Sequence, residues 1–192
     1  MQARSAKTFD HILDTAVVVL EETGWDGFST NLLAERAGIG IQTLYRYFPN
    51  KLSVVATLAR RLISEWDSWF IGDDINFSGR DGTRMFIDKL KNQPGGVAIR
   101  QAMAASPPLR ELDREDNRRI AKQFAAHLVH LDSSVAYEDA FTTFLVAIES
   151  TVAVVDLTFK LPAAEAERLT ASCVEMHSEF FANRFPVLAK KK

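Results

Sequence analysis

One stretch of twenty residues, Ser29–Phe48 (STNLLAERAGIGIQTLYRYF), constrains the architecture of this chain more than any other. Apolar residues recur at three- and four-residue spacing on both sides of Gly38-Ile39-Gly40, a gap that fits only a tight turn. The pattern predicts a helix capped by Ser29, running to about Ala37 and ended by Gly38. A second short helix follows over Ile41–Phe48, stopped by Pro49-Asn50. Two short helices joined by a glycine-bearing turn are the sequence form of a helix-turn-helix. Leu33, Ala34, Ala37, Ile39 and Leu44 turn inward, and Ala34 is small where two helices approach closely. On a wheel of the second helix, Ile41, Leu44 and Phe48 share one face. Gln42, Thr43, Arg46 and Tyr47 take the opposite face, with Tyr45 on the flank. Amide, hydroxyl, guanidinium and phenol groups make no catalytic centre, but they suit base edges and phosphates.

The rest of the chain is helical in pattern, and no strand signal appears. A first helix is expected from about Thr8, with Phe9, Ile12, Leu13, Ala16 and Leu20 at helical spacing and Gly24 as its stop. A long helix over 51–70 follows the helix-turn-helix, then a loop-like stretch, Gly72–Gly82. Beyond it, helices are expected at about 82–92, 96–105, 108–131, 136–160 and 163–185, punctuated by Pro94-Gly95-Gly96, Ser106-Pro107-Pro108 and Leu161-Pro162. The predicted fold is all-α with about nine helices. An N-terminal helix-turn-helix domain spans 1–50, and a ligand-binding and dimerisation domain spans 67–192, with the helix 51–70 shared.

With 47% hydrophobic residues in 192, the chain can bury a substantial core. Its formal charge of −2 excludes a polyanion binder acting through bulk electrostatics, so a nucleic-acid site must be local. The charge is polarised. From Ala34 to Ile63 there are five bases (Arg36, Arg46, Lys51, Arg60, Arg61) against Glu35, a net of +4. From Met1 to Asp26 two bases, Arg4 and Lys7, face five acids, a net of −3. The positive part is centred on the second helix of the turn motif, as expected of a DNA binder. The single Cys173 excludes an intrachain disulfide and a multi-cysteine zinc site, which fits the cytoplasm. The opening residues lack a signal-peptide run, and apolar stretches such as Ala16–Leu20 are too short to span a bilayer, so no membrane partner is expected.

These residues, in this order, are similar to the TetR family of repressors. The resemblance covers about residues 8–66. It rests on His11-Ile12-Leu13 and Ala16, Gly24 then Phe28-Ser29, Leu33-Ala34, Ala37-Gly38-Ile39, Thr43-Leu44-Tyr45, and Tyr47-Phe48 then Lys51. It implies that Ser29, Tyr45, Tyr47 and Lys51 hold phosphates while Gln42, Thr43 and Arg46 reach bases. Thr30, Gly40 and Ile41 complete the DNA-facing set. Ile41 stays open, because the wheel turns it inward whereas family members present that position to a thymine methyl. Gly40 stands where the family often has a capping Ser, and Gln42 where it often has Gly. Gly caps less well, and the amide of Gln42 suits adenine.

Other groups have plainer readings beside sharper ones. Trp66, Trp69, Phe70, Phe86, Met103, Phe124, Phe144 and Ile148 either pack a core or line a pocket for a small apolar effector. His127 and His130 near Asp132 read as surface groups rather than metal ligands, and His11 and His177 as packed histidines. Cys173 reads as a small buried hydrophobe. Arg60 and Arg61 fit a solvated face or a phosphate contact. No metal, cofactor or enzymatic motif is present.

The helix 136–160 carries an apolar stripe through Phe141, Phe144, Ile148 and Val155, and a small uncharged face opposite. Ala140, Thr143, Ala147, Thr151 and Val154 on that face, with Thr170, Val174, His177 and Phe181 of the last helix, are the expected four-helix interface of a homodimer. The function these features imply is a transcriptional regulator, a repressor that leaves its double-stranded DNA operator when an effector binds. The alternatives are a DNA-binding regulator without an effector, and a ligand-binding helical protein whose helix-turn-helix is inactive.

Overall fold

In a computed structural model, residues 2–70 and 82–189 are described, with side chains over 5–64 and 82–188. Ten helices and no strand occur among them. They are α1 (Gln2–Gly27), α2 (Thr30–Arg36), α3 (Ile41–Tyr47), α4 (Lys51–Phe70) and α5 (Gly82–Asn92), followed by α6 (Gly96–Ala105), α7 (Pro107–Leu131), α8 (Tyr137–Thr158), α9 (Ala163–Arg184) and α10 (Pro186–Ala189). The element boundaries fall close to the glycines and prolines that predicted them. α1 starts at Gln2 rather than Thr8, so Thr8 lies inside a helix that the sequence pattern began too late. Its first turns carry no apolar residue larger than Ala3 and Ala6 and so escape a periodicity test. The expected stop at Gly24 is present as a break, φ 63, before a last turn to Gly27. Of the loop-like Gly72–Gly82 stretch, 72–81 lies outside the described residues and Gly82 opens α5.

Two compact units form. The first holds Met1–Phe70 and Leu90–Leu112, the second the described residues of Ile71–Lys89 and Asp113–Lys192. In the first, α1 packs on α2, α4 and α6, and α4 also packs on α6. The core of its turn motif is Ile12, Leu13, Ala16, Leu20, Leu33, Leu44 and Phe48, all at most 2% exposed. α6 therefore joins the N-terminal unit, although its sequence position placed it in the second domain. Glu21 of α1 accepts the Gly95 N–H at the start of α6, 2.9 Å away, which helps fix that placement. In the second unit α8 packs on α9.

The turn between α2 and α3 shows its cause in its hydrogen bonds. Ser29 caps α2 by accepting the Leu32 N–H at 3.2 Å. At the other end Gly38 N–H reaches Glu35 O (3.1 Å) and Ile39 N–H reaches Ala34 O (3.0 Å), the two crossed bonds of a Schellman motif. That motif needs a left-handed residue, and Gly38 supplies it with φ 64.

Gly40, the residue before α3, has ordinary φ −67 and makes no side-chain cap. A Cβ there would meet nothing within 4 Å. Gly40→Ser should therefore add a cap and restrict the unfolded chain. Chemical denaturation should show a gain of about 0.5–1.5 kcal/mol. A loss of stability would mean that the cap geometry of α3 differs from that described.

Candidate nucleic-acid interface

α3 has only seven residues, so its neighbours must hold it. Leu44 (0% exposed) and Phe48 (2%) anchor its inner face. Phe9 of α1 stacks on Phe48 with centroids 5.2 Å apart and also touches the Tyr47 ring at 6.2 Å. His11 Nε2 lies 3.0 Å from the Ala37 carbonyl, so this histidine is hydrogen-bonded, although it is exposed rather than packed.

The outer face follows the wheel at Gln42 and Arg46 only, since Thr43 and Tyr47 are more covered, and Tyr45 more exposed, than the wheel placed them. Gln42, Tyr45 and Arg46 are exposed, Ile41, Thr43 and Tyr47 are half-buried, and Gly40 is exposed beside them. Ser29 is exposed and Thr30 half-buried at the start of α2. The two phenols are tethered at their hydroxyls. Thr30 Oγ1 lies 3.3 Å from Tyr45 Oη, and Ser5 Oγ lies 3.2 Å from Tyr47 Oη. Ser5 is absent from the sequence-predicted set. The only signal for it was its position one turn before Phe9, legible only once α1 was known to extend that far.

The basic patch is more tempered than the sequence count implies. Arg36 pairs with Glu22, and Arg61 pairs with Asp10 at 2.6 Å while lying over the Phe9 ring. Both bases thus meet acids of α1, which is where the −3 segment folds. Lys51 is not a free surface cation either. Its Nζ donates to the Trp25 carbonyl at 3.1 Å and lies 4.2 Å from the Trp25 ring centroid. Among the described residues Arg46 forms no ion pair, and it stands exposed on the reading face. The exposed pairs of Arg36 and Arg61 contribute little, about 0–1 kcal/mol each, so a phosphate can compete for either base.

The second unit treats its aromatics as core. The Phe144 ring lies 5.5 Å from Phe124, 5.3 Å from Phe181 and 6.2 Å from Phe185. Phe86 and Ile148 are half-buried in the same unit, whereas Met103, 2% exposed, belongs to the first unit. The eight residues expected to line one pocket are therefore divided between two units. Trp66, Trp69 and Phe70 lie outside the residues whose side chains are described. An open depression of about 570 Å³ runs along Ser172, Met176 and Phe180 of α9, and the Phe180 ring meets Phe181 of the ring cluster edge-on at 5.9 Å.

The expected dimer face needs correction. Ala140, Thr143, Ala147, Thr170, His177 and Phe181 are at most 6% exposed within a single chain, so no second copy can reach them. Only Thr151, Val154 and Val174 of that set are half-buried. Small residues did signal close helix approach, but the approach is of α8 to α9 in one chain. Exposed large apolar groups include Tyr137 (40%), Val146 (56%) and Leu157 (50%) of α8 with Met176 (51%) and Phe180 (40%) of α9. α8 is also long and apolar enough to cross a membrane by length and composition, unlike the short stretches considered in the sequence.

A polar cluster lies between α5, α8 and α9. His177 Nε2 meets Ser150 Oγ at 2.8 Å, and its Nδ1 lies 3.5 Å from Thr151 Oγ1 and 3.8 Å from Cys173 Sγ. Thr83 Oγ1 lies 3.4 Å from Thr151 Oγ1. Burial pushes the Cys173 thiol up, so it is an inert packed group. His127 departs from the surface reading, since its Nε2 is covered and has no hydrogen-bond partner among the described residues. No group of three metal-ligating side chains occurs among them.

Burial lowers the His177 pKa, so the folded chain keeps this imidazole neutral. Below the ordinary imidazole range the unfolded chain binds a proton that the folded chain refuses, and stability falls with pH. His177→Gln should remove this part of the decline. Denaturation at pH 7.5 and pH 5 checks it, and an unchanged pH slope would deny that His177 is buried and neutral.

The pattern of bacterial regulatory proteins of the tetR family matches residues 12–58, and that of the tetracyclin repressor-like C-terminal domain matches residues 83–180. The chain is 32% identical over 100 residues to the tetracycline repressor protein class A from transposon 1721 of Escherichia coli, covering 43% of this chain and 46% of that protein. It is 33% identical over 107 residues to the HTH-type transcriptional regulator EthR of Mycolicibacterium smegmatis, covering 52% and 49%. It is also 33% identical over 57 residues to the HTH-type transcriptional repressor KstR of Rhodococcus jostii, covering 30% and 27%. These matches span less than half the length of each curated relative. At the level of fold, the fatty acid degradation regulator FadR of Bacillus halodurans superposes with TM-score 0.63 and 17% identity, covering 96% of both chains.

Proposed function

The chain belongs to the TetR family of bacterial regulatory proteins, and on that premise we propose that it is a sequence-specific DNA-binding transcriptional repressor of the cytoplasm, acting as a homodimer. The observation that carries this reading is the outer face of α3. Gln42, Tyr45 and Arg46 are exposed on a helix whose other side is locked by Leu44 and Phe48. In this reading Gln42, Thr43 and Arg46 address bases, and Ser29, Thr30, Tyr45, Tyr47 and Lys51 address phosphates. The curated relatives it matches are regulators rather than enzymes.

The effector is read as a small, largely apolar molecule received by the segment 83–180 that matches the tetracyclin repressor-like C-terminal domain. Its binding would shift an equilibrium between operator-competent and operator-incompetent states. A regulator without effector is the second reading. The ring-to-ring contacts of Phe144 favour it, since those groups already satisfy one another. A rise in melting temperature with apolar compounds supports the first reading, and its absence across a broad set supports the second.

Selection of DNA from the source genome by the purified chain, followed by salt titration, tests the reading as a whole. Lys51→Ala should weaken binding about equally on all duplexes and reduce the slope of log K against log salt by about one unit. Gln42→Ala should cost about 1–3 kcal/mol on the selected DNA and much less on random duplex. Salt-independent association, or equal losses on both DNAs for Gln42→Ala, would count against base reading by α3.

The dimer is read from the exposed stripe of Val146 and Leu157 with Met176 and Phe180, which apolar burial against a second copy would cover. Val146→Arg should leave the fold intact, because the side chain is 56% exposed in one chain. It should split the dimer in light scattering and lower operator affinity. Ala147→Arg should instead destabilise each chain by several kcal/mol, because it buries a charge between α8 and α9. A stable Val146→Arg dimer would put the interface elsewhere.

A further inference from the structure

We infer that the N-terminal turns of α1 form an additional part of the DNA interface, with Ser5 acting as a positioning residue that aims the Tyr47 phenol at a phosphodiester of the DNA backbone. This inference rests on the DNA-binding reading above. Ser5 and Phe9 stand one helical turn apart on α1, and both face Tyr47. Phe9 touches the Tyr47 ring with centroids 6.2 Å apart, at an interplanar angle of 52°. Ser5 Oγ meets the phenol oxygen at 3.2 Å, in an exposed contact. Tyr47 is thus held along its length, with its body against Phe9 and its hydroxyl at the surface.

Two hydroxyls in mutual contact share one hydrogen bond, which leaves the other O–H free to donate. A phosphate oxygen is an acceptor without donors, so the pair fits it and does not compete with it. A phenol already held in place also loses less side-chain freedom when it binds, which favours association. Tyr45 is tethered in the same way by Thr30 Oγ1 at 3.3 Å, so both phenols of α3 carry a hydroxyl partner from a neighbouring helix. Ser5 differs from Thr30 in its origin. It lies on the first turns of α1, before the segment matched to the family pattern, residues 12–58. Ser5 carries no charge, and its contribution is therefore separable from that of Arg46 or Lys51 by the salt dependence.

The experiment measures affinity for genome-selected and random 30-base-pair duplexes, as a function of salt, for wild type, Ser5→Ala, Ser5→Thr, Tyr47→Phe and Ser5→Ala/Tyr47→Phe. Ser5→Ala should weaken binding about 3- to 10-fold on both duplexes, the scale of one net hydrogen bond. The salt slope and melting temperature should not change. Ser5→Thr should restore wild-type affinity, and Ser5→Ala should cost nothing further once Tyr47 is Phe. Wild-type affinity for Ser5→Ala would overturn the inference while leaving the DNA-binding reading intact. An equal Ser5→Ala loss in the Tyr47→Phe background would also overturn it, because Ser5 would then act without the phenol. A wild-type chain with no salt-dependent DNA binding would overturn the functional reading and this inference together.

Discussion

A seven-residue helix cannot hold itself in water, and everything the N-terminal unit offers a ligand depends on how α3 is held. Leu44 and Phe48 bury its inner side, Phe9 stacks on Phe48 from α1, and the crossed hydrogen bonds around Gly38 set the angle at which α3 leaves α2. Once those contacts are made, the orientation of Gln42, Tyr45 and Arg46 is no longer free. A reading surface needs this rigidity, because base discrimination depends on side chains arriving at fixed positions.

The charge distribution follows from the same packing. The acids of α1 and the bases of α2 and α4 look like separate blocks in sequence, yet Asp10 meets Arg61 and Glu22 meets Arg36. These pairs are exposed and weak, so they temper the positive field without abolishing it. Lys51 is tied to Trp25 more closely, through both the carbonyl and the ring. Its ammonium therefore serves the corner between α1 and α2 as well as any phosphate, and the field of the reading face rests more heavily on Arg46.

In the second unit the physical problem is different. α8 and α9 bury small and polar groups together with Phe144, Val155 and Phe181, while Val146, Leu157, Met176 and Phe180 stay exposed. Most buried threonines there return their hydroxyls to their own helix, as Thr143 does to Asp139 O and Thr170 to Ala166 O, at 2.7 and 2.8 Å. Thr83 and Thr151 instead join His177 across three helices at longer distances. The α8–α9 seam is thus held by specific polar contacts as well as by apolar packing.

Local rules made much of this legible in advance. Ser29, Gly38 and Pro49 mark helix ends because capping and backbone conformation are decided within a few residues, and the period of Ile41, Leu44 and Phe48 reveals which side of α3 faces inward. The position of α6 beside α1, the pairing of Arg61 with Asp10 and the Ser5 tether were not legible, since each joins residues far apart in sequence. The face of Ala140 and Ala147 shows the limit most clearly. Small residues at helical spacing announce that another helix comes close, and the sequence determined that much. Whether that helix belongs to the same chain or to a second copy depends on which surfaces the first folding contacts have already covered. Only the tertiary structure decided it, because helical periodicity encodes the direction of a face and carries no information about its partner.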